Sequence, residues 1–164
     1  MKQILTYSLM IALIGLIIGC APQTENPQDL LKAAEALDKQ FVEAYNNGDV
    51  DGLMATYWNS PDLVVYPPDH MEVRGWDANR ETTVETFAKM RGATLELLES
   101  NNKVVGSVVL GSGKWRVTLP MPETDPMIIE GRYTDVKTRM DGKMVYIVDH
   151  ASVPLPPPPG SPEM

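Results

Sequence analysis

The chain has 164 residues and a single cysteine, and its 22 acidic residues outnumber 14 basic ones for a formal charge of −8. That length fits one domain with a sizeable core. The acidic balance excludes a nucleic-acid footprint or a folded surface that clings to anionic lipid, and one cysteine excludes an intrachain disulfide.

Lys2 is followed by an apolar run from Leu9 to Ile18, and Gly19-Cys20 closes it. A charged start, a short apolar stretch and a small residue at the cut form a secretory signal pattern. The run is shorter than the ~20 residues needed to cross a bilayer. Ile17-Ile18-Gly19-Cys20 resembles the lipobox of bacterial lipoproteins. The resemblance implies cleavage before Cys20, acylation of its thiol, and anchoring on the extracytoplasmic side of the cell envelope (the outer membrane if the cell is Gram-negative). Two or three acyl chains give stable attachment where one is marginal. The expected organisation is a signal peptide at 1–19, a lipidated tether at 20–27, a folded domain at 28–154 and a disordered proline-rich tail at 155–164.

Asn26-Pro27-Gln28-Asp29 reads as a helix start, with Asn26 as cap and Pro27 in the first turn. Leu30, Ala34, Leu37, Phe41 and Ala44 or Tyr45 recur at helical spacing up to a stop at Asn46-Asn47-Gly48. Asp49 caps a short second helix through Leu53, Met54, Tyr57 and Trp58. Leu63 to Tyr66 is a strand stopped by Pro67-Pro68, and a third helix is predicted from Asp77 to Met90, with Trp76, Val84, Phe87 and Met90 on its apolar side. Strands are predicted at Leu95–Leu98, Val104–Leu110, Trp115–Leu119, Ile128–Lys137 and Met144–Val153, with turns at Gly111–Gly113 and Asp141-Gly142. Helices followed by antiparallel strands make an α+β fold. The tail from Pro154 to Pro162 reads as extended polyproline.

Phe41 to Leu53, Tyr66-Pro67-Pro68 with Val73-Arg74-Gly75, Gly113 to Arg116, Gly131 to Thr134, and Asp141-Gly142 leading to Asp149–Pro154 together resemble the nuclear transport factor 2-like superfamily. The similarity is strongest to its ketosteroid-isomerase-like and polyketide-cyclase-like (SnoaL-like) branches, and extends to the association domain of calcium/calmodulin-dependent protein kinase II. It implies a cone: a curved sheet wrapped over three N-terminal helices, with a pocket at the open end and pairing into homodimers through the sheet. Isomerases, cyclases, adaptors and assembly modules share this fold, so fold alone names no activity.

In the ketosteroid-isomerase-like branch, a tyrosine on the first helix, an aspartate ending the first strand and a second, protonated aspartate carry the chemistry. The matching positions here are Phe41, Tyr66 and Thr134. Phe41 has no hydroxyl and a tyrosine is a poor base at neutral pH, so that mechanism is rejected.

Alternation along the last strand sets Met144, Tyr146, Val148, His150 and Ser152 on one face, read as the inner one, and turns Asp149 away. Histidine is the side chain type suited to acid or base work at physiological pH, which makes His150 the candidate acid or base. Tyr45, Trp58, Tyr66, Arg74, Trp76 and Thr134 are the expected pocket neighbours of His150, and Trp115 is assigned to sheet packing. The two histidines lack metal-ligand spacing, and no phosphate-binding loop or nucleophile motif is present, so no metal and no cofactor are expected. The leading expectation is binding of a small, largely apolar molecule. The alternatives are a hydratase, cyclase or isomerase using His150, or an envelope assembly module.

Overall fold

Asn26 caps the first helix as its sequence predicts: its Oδ1 accepts a hydrogen bond from the Gln28 amide at 2.9 Å. In the computed structural model, which describes residues 25–155, this helix (α1, Pro27–Asn47) ends where Gly48 takes φ 63°, a left-handed conformation that costs glycine little. The expected signal peptide, Cys20, and tail residues 156–164 lie outside the described residues. Leu30, Ala34 and Leu37 are buried on one side of α1, with Asp38 buried beside them.

Asp49 caps α2 (Val50–Met54) by accepting from the Gly52 amide at 2.9 Å. The helix stops at Met54 rather than running to Trp58, because Tyr57 bridges to Tyr146 on the sheet and the Trp58 amide donates to the Tyr146 carbonyl. Two short strands follow, β1 (Val64–Tyr66) and β2 (Val73–Arg74), then α3 (Trp76–Lys89). The Trp76 indole donates to the Met54 carbonyl at 3.1 Å and ties α3 to α2. Val84 was expected on the apolar side of α3 but is 44 % exposed; the buried positions are Asn79 and Thr83, which face the Met54 sulfur.

The second half is four long strands: β3 (Thr94–Val105), β4 (Val108–Leu119), β5 (Met127–Met140) and β6 (Lys143–Ser152). The sheet order is β2-β1-β6-β5-β4-β3, with β1 parallel to β6 and every other pair antiparallel. The Asp141-Gly142 hairpin forms as predicted, both residues at positive φ. Gly111 to Gly113, expected as a turn, instead lies within β4. The true reversal is at Gly106-Ser107, so the three strands predicted between Leu95 and Leu119 become two, β3 and β4, with the middle one divided between them. Gly111 and Gly113 are small because β5 reaches over them: a Cβ would meet the Asp135 carboxylate at Gly111 and the Glu99 carbonyl and Tyr133 ring at Gly113.

Two irregularities steer side chains. One in β3 between Leu97 and Glu99 breaks its pairing with β4. The other shifts the β5–β6 register, so Val136 pairs with Val148 but Lys137 with Tyr146, leaving Ile147 as the extra residue. A bulge of this kind reverses the alternation beyond it.

Candidate functional site

Between α1, α3 and the inner face of the sheet lies a cavity of about 480 Å3. Its walls draw on two hydrophobic clusters, one centred on α1 and α2 and the other on Ala93, Trp115 and Val117, with Tyr45 packed against both. Phe41, Tyr45, Phe87, Leu97, Trp115 and Ile129 supply much of the apolar wall. Pro67, Pro68 and Asp69 border it at the surface, while Asp38, Tyr57, Asp135, Tyr146 and Asp149 form its polar end. The volume is that of an ordinary small-molecule site, and an apolar wall with a few convergent polar groups is the usual composition of one.

The polar end is built around Lys137, which is fully buried. Its Nζ lies 2.7 Å from Asp38 Oδ1, 2.8 Å from Asn102 Oδ1 and 3.2 Å from Asp135 Oδ1. The Tyr146 hydroxyl donates to Asp38 Oδ1 at 2.5 Å, and Asn102 Nδ2 donates to Asp38 Oδ2 at 3.0 Å. The Asp38 carboxylate is thus well supplied with donors. Asp135 is not: its Oδ1 is buried, and the approach of Lys137 does not make a well-formed hydrogen bond. The Tyr133 hydroxyl is likewise buried without a partner. Asp149 holds the Tyr57 hydroxyl on Oδ2 at 2.6 Å.

This arrangement sets the protonation of the site. Burial pushes the Asp135 carboxyl up to about 7, with Asp149 and Asp38 adding to the rise and Lys137 opposing it. Burial also raises Asp149, against the Tyr57 hydrogen bond and Lys137. Burial and the neighbouring carboxylates drive Tyr57 and Tyr146 well above the ordinary phenol value, so both remain donors. Burial takes Tyr133 to about 12. Asp135 therefore sits at the midpoint of its titration near neutral pH, where a carboxyl can give or take a proton.

The bulge at Ile147 corrects the expected face of β6. Tyr146 is on the inner face, but beyond the bulge it is Asp149 and Ala151 that line the cavity, while His150 is exposed on the outer face. There His150 Nδ1 lies 3.2 Å from Thr134 Oγ1 and shares a shallow outer depression with Lys114 and Arg132. Neither His150 nor Thr134 reaches the cavity. Of the other expected residues, Tyr45 and Tyr66 line it. Trp76 is occupied in the α2–α3 junction, and Trp58 is partly buried away from the cavity. Arg74 is exposed and paired with Glu72 at 2.7 Å. Trp115, assigned to sheet packing, instead faces the cavity, its indole donating to the Arg132 carbonyl. Phe41, at the position matched to a tyrosine, packs edge-on against Tyr57 and Tyr146. Sequence reasoning missed Asp38, Tyr57, Asp135, Lys137 and Asp149. The alternation of Tyr133, Asp135 and Lys137 on β5 was the available signal.

The SnoaL-like domain model matches residues 34–156. The chain belongs to the SnoaL-like domain family. Solved structures show that this SnoaL-like domain has the fold of nuclear transport factor 2-like proteins. A superfamily protein from Salmonella enterica serovar Typhimurium superposes with a TM-score of 0.73 at 16% identity, covering 84% of this chain and 100% of that one. A protein of the nuclear transport factor 2-like family from Streptomyces avermitilis gives 0.72 at 16% identity, covering 79% of this chain and 100% of that one. A protein with a cystatin-like fold from Caulobacter vibrioides gives 0.67 at 17% identity, covering 78% and 92%. Identities this low establish fold only. No curated protein matches the sequence. Among the described residues of the SnoaL-like domain, no group of three acidic, histidine or cysteine side chains is placed to hold a metal ion, and no helix is long and apolar enough to cross a membrane.

Proposed function

We propose that this SnoaL-like domain is tethered to the outside of a membrane through Cys20 and binds a small, largely apolar molecule in its cavity. The observation that carries the binding reading is the combination of an apolar wall with a buried, incompletely satisfied polar end. A cavity that served only packing would be filled, since interiors are close-packed and few voids exceed a water molecule. The tether reading rests on the apolar run before the single cysteine.

The binding test uses N-phenyl-1-naphthylamine, an apolar dye whose emission rises out of water. The expected result is saturable enhancement that is lost in Thr86→Phe, because Thr86 lines the cavity and a phenyl ring there occupies ligand space. No saturable binding, or equal binding by Thr86→Phe, contradicts the reading.

A second reading is proton-transfer catalysis of the isomerase or cyclase type. It moves from His150 to the carboxyls, because Asp135 is held near neutrality and it, not Thr134, faces the cavity. Turnover of a candidate substrate that survives both Asp135→Asn and Asp149→Asn rules it out.

A further inference from the structure

The polar end of the cavity has an excess of acceptors. Asp38, Asp135 and Asp149 contribute carboxyls to it, and no lysine, arginine or histidine among the described residues lines the cavity itself. Lys137, buried behind the wall, is the cation nearest these groups; its Nζ donates to Asp38 and Asn102 and lies 3.2 Å from Asp135 Oδ1 without a well-formed hydrogen bond. The groups facing Asp135 and Asp149 are therefore Lys137 and Tyr133 from β5, Tyr146 from β6, Asp38 from α1 and Tyr57 from the segment after α2, with His150 acting on Asp149 from the outer side.

Asp135 and Asp149 are direct partners across β5 and β6. Like charges in that relation repel. The side chain of Asp135 is only 2 % exposed, yet Oδ1 has no hydrogen-bond partner. An unmatched buried acceptor of this kind is costly in an empty site. A donor that carries positive charge, placed on the cavity side of the two carboxyls, offsets that repulsion.

We infer that the cavity is selective for a primary ammonium group carried on an apolar body, with the ammonium lodged between the carboxyls of Asp135 and Asp149. This rests on the cavity being a binding site, as proposed above. The apolar body lies against Tyr45, Phe87 and Trp115, and the charged nitrogen points to the sheet. A neutral alcohol of the same shape brings one proton and no charge, so it leaves one carboxylate uncompensated.

The test is competition against bound N-phenyl-1-naphthylamine on the purified full chain, using 1-naphthylmethylamine and its neutral isostere 1-naphthalenemethanol. The amine is expected to bind at least about tenfold more tightly than the alcohol near pH 8, above the value of about 7 to which the Asp135 carboxyl is raised and where a primary amine is still protonated. The preference, read as the ratio of amine to alcohol affinity within each variant, is expected to shrink near pH 5 and in Asp149→Asn and Asp135→Asn. Two variants are used because they perturb the Lys137 cluster differently: Asp149 lies outside its direct bonds. An alcohol that competes as well as the amine near pH 8 overturns the inference while leaving the binding site intact. A preference that persists undiminished in both variants also overturns it. Absence of saturable dye binding removes the cavity reading and this inference together.

Discussion

Asp135 and Asp149 stand directly opposite one another on β5 and β6, on the same inner face. Only the register shift at Ile147 makes this possible, since regular alternation from Tyr146 would turn Asp149 to solvent. One extra backbone residue thus exchanges a histidine for a carboxyl in the wall of the cavity, and the chemistry of the site changes with it.

The pH dependence of stability follows from Asp135. Its carboxyl is raised to about 7 in the fold, above its value in an unfolded chain. The unfolded state therefore binds fewer protons between those values, and linkage makes stability fall as pH rises through that window. The contribution is fully present below the unfolded pKa, near 4, and is lost by about pH 7 to 8. Asp135→Asn removes this loss. It is expected to be more stable than the parent near pH 8 by about 1–3 kcal/mol, because the burial cost of the charged carboxylate that is removed, together with its repulsion from Asp149 and Asp38, exceeds the attraction to Lys137 that is lost, with a smaller difference near pH 5. Urea unfolding at the two pH values measures it; a variant less stable than the parent near pH 8 contradicts the assignment.

Lys137 is the counterion of the whole cluster. Lys137→Met leaves Asp38, Asp135 and Asp149 without it, and loss of one partner from a buried ion pair costs about 3–5 kcal/mol. The same denaturation experiment should show this loss at neutral pH and a smaller one in acid, where protonation neutralises the carboxyls. An equal cost at both pH values would mean that packing, not charge, accounts for the effect.

The outer-face position of His150 predicts that His150→Ala and Thr134→Ala leave dye affinity within about twofold of the parent, since neither side chain reaches the cavity. Dye titration decides this. A tenfold loss in either variant would place these residues in the binding site after all.

Gly111 lies under the Asp135 carboxylate, so Gly111→Ala forces that side chain to move. Overpacking of this kind costs about 1–3 kcal/mol. It should also alter dye binding, because Asp135 lines the cavity. A variant unchanged in both stability and binding would show that the carboxylate moves freely.

Much of the architecture was legible because its signals are local. Asn26, Gly48 and Asp141-Gly142 each mark a boundary through their own backbone or side-chain chemistry. The site was less legible because its determinants are not local. The bulge at Ile147 exists in the pairing of β6 with β5, and nothing in Tyr146–His150 alone announces it. Gly111 and Gly113 carried the opposite difficulty: glycine is a turn former, but here it yields space to side chains from β5. Lys137 and Asp38 are separated by 99 positions, and charged residues at strand and helix positions read as solvent-facing until the fold joins them. Thr134 was matched to the superfamily's second acidic position, whereas its neighbour Asp135 takes the inner face. A displacement of one residue decides that assignment, because side chains on a strand alternate between faces.

The most direct test of the central claim is native mass spectrometry of the purified chain after incubation with a bacterial envelope lipid extract, beside Thr86→Phe treated identically. The account predicts one discrete small molecule retained per chain in the parent and none in the variant. A parent chain that retains nothing, or a variant that retains the same mass in the same proportion, would contradict a ligand-binding cavity.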